Sequence, residues 1–392
     1  MTPALHIDIA WDSANKHREE LCGDKVEIIR QEGSVIAVLA DGLGSGVKAN
    51  ILATLTSKII GTLIAEGLTI DEAVETIVST LPVCRERGIG YCTFTILQIT
   101  DEGECYLAEF DNPAAFWFHR GRALPLNPQT REIDGKSIRE TRFRVQCDDL
   151  IVLVSDGVVH AGIGQTLNLG WRWERVSEYL VSIDRPGASA RSVSKLLLSA
   201  TTSLYANEPG DDATVVAIRA RRPAPLSVLV GPPLKSEEDG PLVRAFLARP
   251  GRKAVCGGAT SQIVAREMGT EVRANLDYDN PAIPPTGEID GIDLVTEGVL
   301  TLRRTLELIQ ACLQEGSSMS DYLSLERKDG ASRLARLLLE ESTSVFFSLG
   351  RAINPAHQNP EFPLSLGLKL RLVEDMADCL RKAGKQVTVE YH

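Results

Sequence analysis

No stretch of eighteen consecutive apolar residues occurs in the 392-residue chain, so no segment reads as a membrane span. The opening MTPALHIDIAWDSANK lacks the basic and apolar blocks of a signal peptide, which sets the expectation of a cytoplasmic protein without a membrane partner. Positive charge is also in short supply. Against 53 acidic residues stand 42 Lys and Arg, a net charge of -11, and a large nucleic-acid footprint would need a basic face that this balance does not provide. The eight cysteines form no CxxC pair and have no histidine at zinc-ligand spacing. A zinc or disulfide framework is therefore not expected, and the thiols read as small core residues.

What is present is an ordinary globular composition, 43% hydrophobic and 24% charged, on a chain long for one core, so two domains are expected. The organising stretch is ADGLGSGVKAN at 40–50. It ends a β-branched run with Asp41, then places Gly42, Gly44 and Gly46 before a long amphipathic helix. The glycines permit positive φ and close approach of backbone to an ion or anion, and the carboxylate supplies charge at a strand end. Taken alone, a tight turn with a solvated aspartate fits equally well.

In order along the first half, Ile7–Trp11 reads as a strand, and Val26–Ile29 with Ser34–Leu39 as a hairpin around Gln31-Glu32-Gly33. If those strands pair antiparallel, Asp24 and Asp41 meet at one end of the sheet. Ile51, Leu52, Leu55, Ile59, Ile60, Leu63 and Ile64 predict a helix with one broad apolar face, and Ala73, Val74, Ile77, Val78 and Leu81 a second helix. Strands are expected at Tyr91–Thr100, Glu104–Phe110, Ala114–His119, Arg142–Gln146 and Leu150–Ser155, then helices at Trp171–Ile183 and Ala188–Ala206, then a strand after Gly210-Asp211-Asp212-Ala213. The fold class that satisfies every amphipathic face is α/β, a four-layer α-β-β-α sandwich of two antiparallel sheets flanked by helix pairs.

Asp41-Gly42, Asp156-Gly157 and Asp211-Asp212, with Asp24 as a fourth position, each lie at the end of an apolar strand. Carboxylates converging in one cleft repel one another and raise their pKa values unless cations neutralise them. Oxygen-only donors suit a pair of hard divalent ions, Mn²⁺ or Mg²⁺.

Gly23-Asp24, Ala40–Gly46, Asp111-Asn112-Pro113, Val154-Ser155-Asp156-Gly157 and Gly210–Val216, in this order and strand context, make residues 1 to about 220 resemble the type-2C metal-dependent serine/threonine protein phosphatases, specifically the SpoIIE branch. The resemblance implies that Asp41 bridges two metals with the Gly42 carbonyl as a further ligand, that Asp156 and Asp211 hold the first metal, and that Asp24 holds the second. Asp212 is open as a sharer or substitute for Asp211. Asp41, Asp156 and Asp211 then act in catalysis through the metals, and a metal-bridging hydroxide attacks the phosphorus of phosphoserine or phosphothreonine. A bacterial regulatory protein such as an anti-sigma-factor antagonist is the implied substrate, and a homodimer through the phosphatase helices is compatible with the branch. The alternative is a catalytically weak phosphatase-fold scaffold, against which stands the presence of all four acidic positions. The arginine that grips phosphate in the eukaryotic enzymes has no clear counterpart. Lys16 and Arg18 are cationic candidates that read more simply as solvated, Lys48 as a surface residue and His160 as a loop histidine.

Arg219–Pro225 (RARRPAP) reads as a short stiff linker, giving a phosphatase domain at 1–221 and a smaller α/β accessory domain with a mostly parallel sheet at 222–392. Strands at Leu226–Val230, Lys253–Cys256, Ile292–Val295, Ser344–Ser348 and Gln386–Tyr391 alternate with helices. Ligands of such sheets bind beyond the carboxyl ends of the strands. CGGATSQ is the most pointed of these ends: Gly257, Gly258, Thr260 and Ser261 at a helix N-terminus form a candidate anion site, although an ordinary helix cap fits as well. The loop is neither GxGxxG nor a Walker loop, so no nucleotide is specified. Asp277–Glu288 reads as a proline-rich surface loop.

Overall fold

The computed structural model describes residues 5–80, 92–185, 187–275, 283–314, 316–352 and 364–392. The chain divides into two compact units, Met1–Arg222 and Pro223–His392.

The first unit contains strands β1 (His6–Ala14), β2 (Asp24–Gln31) and β3 (Ser34–Gly42), then helices α1 (Gly46–Ala65) and α2 (Ile70–Thr80). Strands β4 (Cys92–Thr100), β5 (Glu104–Phe110), β6 (Phe116–His119), β7 (Arg122–Ala123), β8 (Gln129–Ile133), β9 (Lys136–Arg144) and β10 (Asp149–Val154) follow. Helices α3 (Asp156–Val159), α4 (Trp173–Ile183) and α5 (Ala190–Leu204) precede the closing strand β11 (Ala213–Arg221). Two antiparallel sheets result, β2-β3-β4-β5-β9-β8 and β1-β11-β10-β6-β7. Between them lies a core of Val35, Leu39, Leu97 and Leu107 against Ile9, Ile151, Leu153 and Val216. The outer faces are covered by α1 and α2 over Ile36, Val38, Phe94 and Ile96, and by α4 and α5 over Phe116, Phe118, Val152 and Val215. This is the expected four-layer sandwich, and it explains why β3 and β10 read as unbroken apolar runs: each is covered on both faces.

Three expectations need correction. On α1 the buried face is Ala49, Ala53, Ser57, Ile60 and Ile64, while Val47, Ile51, Leu55 and Ile59 are 41–63% exposed. Of the expected large apolar face only Ile60 and Ile64 are buried, because toward the start of α1 small residues let the helix lie close to the sheet: a Cβ on Gly42 would sit 2.1 Å from the Ala49 carbonyl oxygen. By length and hydropathy α1 could cross a membrane, with 33% of the relevant window buried inside the protein. The supposed linker is mostly strand, since β11 runs to Arg221 and the next strand begins at Pro225. Arg219 is buried there because its guanidinium donates to Asp184 at 2.5 Å. The β8–β9 hairpin, with its turn at Asp134-Gly135, was not anticipated as two strands, because β8 is polar and mostly exposed. Tyr91 lies outside the described residues.

The second unit contains β12 (Pro225–Val230), α6 (Asp239–Ala248), β13 (Arg252–Cys256), α7 (Gly258–Met268), β14 (Arg273–Ala274), β15 (Gly287–Glu288) and β16 (Leu294–Thr296). Helices α8 (Val299–Leu313), α9 (Met319–Leu323) and α10 (Gly330–Arg336), strand β17 (Ser344–Leu349), helix α11 (Leu364–Lys382) and strand β18 (Gln386–Tyr391) complete it. The sheet order is β14-β15-β16-β13-β12-β17-β18, parallel from β16 to β18 with an antiparallel margin. Helices α6 and α7 cover one face, and α8, α10 and α11 the other, which makes the sheet doubly wound. Much of the Asp277–Glu288 loop lies outside the described residues.

Urea unfolding of variants tests the assignment of the α1 faces. Ile60→Ala, fully buried, is expected to cost about 2–5 kcal/mol, whereas Leu55→Ala, 54% exposed, should stay within about 0.5 kcal/mol. Equal losses would mean that both faces are packed.

Candidate acidic metal site

The hairpin register places Asp24 directly opposite Asp41 on β2 and β3, at the end of one sheet. From the other sheet come the turn after β10, which carries Asp156 at the start of α3, and the turn before β11, which carries Asp211 and Asp212. Glycine brings these two turns together, because a Cβ on Gly157 would stand 2.1 Å from the Asp212 carbonyl oxygen. The link between sheets is Ser155. Its hydroxyl donates to Asp24 Oδ2 at 2.7 Å and accepts from the Thr214 amide at 2.8 Å.

Burial and mutual repulsion set the electrostatics. Asp24, 4% exposed, is pushed up to about 7 by burial, with Asp212 and Asp156 adding to the rise and hydrogen bonds from Ser155 and Thr214 opposing it. Asp41 is pushed up to about 9, by burial first and then by Asp24, Asp156, Asp211 and Asp212. Burial also raises Asp156 and Asp211, and each of these is raised further by a neighbouring aspartate. The doublet is split by depth. Asp212 is 4% exposed and accepts the Lys16 amide at 3.0 Å, while Asp211 lies at the rim, 3.8 Å from Lys16 Nζ.

Two buried oxygens in this cleft, Asp24 Oδ1 and Asp212 Oδ2, have no hydrogen-bond partner among the described residues. Also among the described residues, no three His, Cys, Asp or Glu side chains converge at ligand distance on a single point. The donor chemistry nonetheless fits hard divalent cations: carboxylate oxygens only, mutually repelling, with the deepest two, on Asp24 and Asp212, buried and in part unpartnered.

Of the other candidates, Lys16 lies 3.8 Å from Asp211 with its side chain partly exposed, and His160 Nδ1 lies 3.9 Å from Asp156 Oδ2. Arg18 and Lys48 are exposed. Ser155 and Thr214 were not singled out from sequence. The available signal was a hydroxyl residue adjoining each acidic turn, in Ser155-Asp156 and in Asp212-Ala213-Thr214.

In the second unit, Gly257 (φ 117) precedes α7, and Ser261 spends both its amide and its hydroxyl on the Gly257 carbonyl at 2.9 Å. Ser261 therefore bonds back onto the preceding turn and has no hydroxyl proton to offer an anion, and no side chain caps the start of α7. Thr260 Oγ1 is buried without a partner among the described residues and lies 3.2 Å from where a Gly257 Cβ would be. The Glu297 carboxylate is 3.4 Å from the corresponding point on Gly258.

Residues 31–221 match the family model of Stage II sporulation protein E (SpoIIE). No curated protein matches the chain. Among solved structures, the chain is similar to the PP2C phosphatase domain, with a fragment of the regulatory domain, of the cell fate determinant SpoIIE from Bacillus subtilis. That match has 17% identity over 56% of this chain and 65% of that one, with a TM-score of 0.49. The RsbU and RsbW domains of Rv1364c from Mycobacterium tuberculosis match at 19% identity over 63% and 70%, TM-score 0.47. RsbX in complex with magnesium matches at 17% identity over 55% and 96%, TM-score 0.42.

The raised carboxyls have a definite consequence for stability. The folded chain holds protons that the unfolded chain releases near 3.8, so in EDTA their contribution is complete at low pH and is lost as pH rises toward about 7 for Asp24 and about 9 for Asp41. Thermal melts in EDTA are expected to show Tm falling between pH 5 and 9, and Asp41→Asn should raise Tm at pH 8. A flat profile, or a destabilised variant, would contradict the repulsion.

Proposed function

We propose, from the match of residues 31–221 to the SpoIIE family model, that the first unit is a metal-dependent serine/threonine protein phosphatase acting on phosphoserine or phosphothreonine of a bacterial regulatory protein. An anti-sigma-factor antagonist is the type of substrate favoured. The observation that carries this reading is the gathering of five aspartates at facing sheet ends, two of them, Asp24 and Asp212, buried with an unpartnered oxygen among the described residues. Asp24, Asp41, the Gly42 carbonyl, Asp156 and Asp211 or Asp212 are the proposed holders of two divalent cations, Mn²⁺ or Mg²⁺. Such cations supply positive charge that lowers the pKa of water and offsets charge developing on phosphoryl oxygens.

The residues themselves have separate tasks. Ser155 holds one oxygen of Asp24 and leaves the other free. Gly42 and Gly157 keep the acidic turns close to their neighbours. Lys16, at the rim beside Asp211, offers a cation to an incoming phosphate.

Hydrolysis of p-nitrophenyl phosphate and of a phosphoserine peptide tests the reading. Activity should require Mn²⁺ and disappear with EDTA. Asp41→Asn should lower kcat by about a hundredfold or more, and Ser155→Ala by about ten- to hundredfold. No activity with Mn²⁺, or activity that survives both EDTA and Asp41→Asn, would refute it and favour the scaffold alternative.

For the second unit, we propose an accessory sensing or docking role, with Gly257, Gly258 and Thr260 receiving a small anion. The unpartnered Thr260 hydroxyl at the start of α7 supports this. Inorganic phosphate should then raise the Tm of the full chain, and Thr260→Val should abolish most of the rise. No rise at millimolar phosphate would count against the site.

A further inference from the structure

In the second unit the parallel register pairs Cys256, at the end of β13, with Thr296, at the end of β16, so Gly257 and Glu297 leave the same sheet edge side by side. The Gly257 amide donates to the Thr296 carbonyl at 2.8 Å and ties the two turns together. Helices α7 and α8 start from these turns, and neither start has a side-chain cap. Their first-turn amides present partial positive charge at this edge. At the start of α10, by contrast, the chain supplies its own anion, since Asp329 accepts from the Ala331 and Ser332 amides.

Glycine keeps the space over the two uncapped turns clear. A Cβ built on Gly257 would meet only Thr260 within 4 Å, and one on Gly298 only the Gly257 Cα, at 3.9 Å. The Thr260 hydroxyl faces this space. Thr260 is 2% exposed, its Oγ1 lies 3.2 Å from the Gly257 Cβ position, and that oxygen has no partner among the described residues. A buried hydroxyl left in this state is a cost to the fold that a ligand oxygen removes.

Glu297 adds a charge of the opposite sign. Its carboxylate oxygens stand 3.4 and 3.6 Å from the Gly258 Cβ position, closer than any other group. The side chain is exposed, and among the described residues it forms no ion pair and caps neither helix. A simple anion on the α7 amides therefore has a carboxylate at its flank, and a simple cation on Glu297 has a helix N-terminus at its flank. A molecule carrying an anion and a cation on one carbon is opposed by neither. Amides and a hydroxyl donate on one side, and a carboxylate accepts on the other.

We propose that this edge binds a free α-amino acid, with its carboxylate on the first-turn amides of α7 and the Thr260 hydroxyl, and its ammonium on Glu297. The inference rests on the anion site proposed above and names the kind of molecule to which the anion belongs.

Thermal melting of the full chain tests it, with glycine, L-alanine, L-serine, L-leucine, L-glutamate or L-arginine at about 10 mM, each against acetate, methylammonium and phosphate at the same concentration. At least one amino acid should raise Tm by about 3 °C, as for a site near tenfold saturation, and acetate and methylammonium by less than half as much. Glu297→Gln, at an exposed position, should remove most of the amino-acid rise and enlarge the phosphate rise. Thr260→Val should reduce both and Thr260→Ser should retain both; if Thr260→Val does not fold, the Glu297→Gln comparison decides. The inference is overturned, with the anion site left standing, if acetate or phosphate raises Tm as much as the best amino acid, or if Glu297→Gln leaves the amino-acid rise intact. No rise with phosphate, acetate or any amino acid would remove the anion site itself.

Discussion

The hydroxyl of Ser155 gives its proton to Asp24 and takes the amide proton of Thr214. Through those two bonds a strand end of one sheet is tied to two strand ends of the other. Two sheets packed through side chains alone can settle at a range of offsets, since apolar contacts carry no direction. A buried hydroxyl between a carboxylate and an amide is directional, and losing either partner leaves a polar group stranded in the core. The relative position of Asp24 and Asp156 is thereby set to within a hydrogen-bond length. The β2–β3 register sets Asp41 beside Asp24, and the close approach at Gly157 brings Asp212 into the same cleft.

Much of this architecture was legible in the sequence. Apolar runs ending in Asp-Gly marked strands that stop at an acid, and the Gln31-Glu32-Gly33 turn was enough to imply that Asp24 and Asp41 lie opposite each other. What was not legible involved partners distant in sequence. Ser155 and Asp24 are 131 residues apart, and nothing near either one announces the bond. The face of α1 was misread for a different reason. Closeness to the sheet puts small residues, Ala49, Ala53 and Ser57, on the buried face, which large apolar residues join only at Ile60 and Ile64. Arg219 inverted the usual rule in the same manner, since a basic residue near a proline suggests a linker until Asp184 appears opposite it in the core.

The second unit shows the limits of reasoning from sheet topology. In a doubly wound sheet the crevice between β12 and β17 is the expected ligand position. Here it is occupied by the protein itself. The Gly350 amide donates to the Val230 carbonyl, and a Cβ on Gly350 would fall 2.1 Å from the Pro232 carbonyl oxygen. Lys369, its pKa lowered by burial, donates to the Gly350 carbonyl at 2.6 Å. At the neighbouring strand end beside Gly257, the Thr260 hydroxyl has no partner among the described residues.

The unpartnered oxygen of Asp24 also bears on ancestry. Replacing Asp41, whose carboxyl is raised by burial and by four neighbouring aspartates, by its amide would relieve repulsion and stabilise the metal-free fold. A lineage retained only for its shape, drifting under selection for stability, would therefore be expected to shed these charges early, because such substitutions are both accessible by single mutation and favourable to folding. This chain carries an aspartate at 24, 41, 156, 211 and 212. Five carboxylates crowded at facing strand ends are a cost to folding that bound cations would offset.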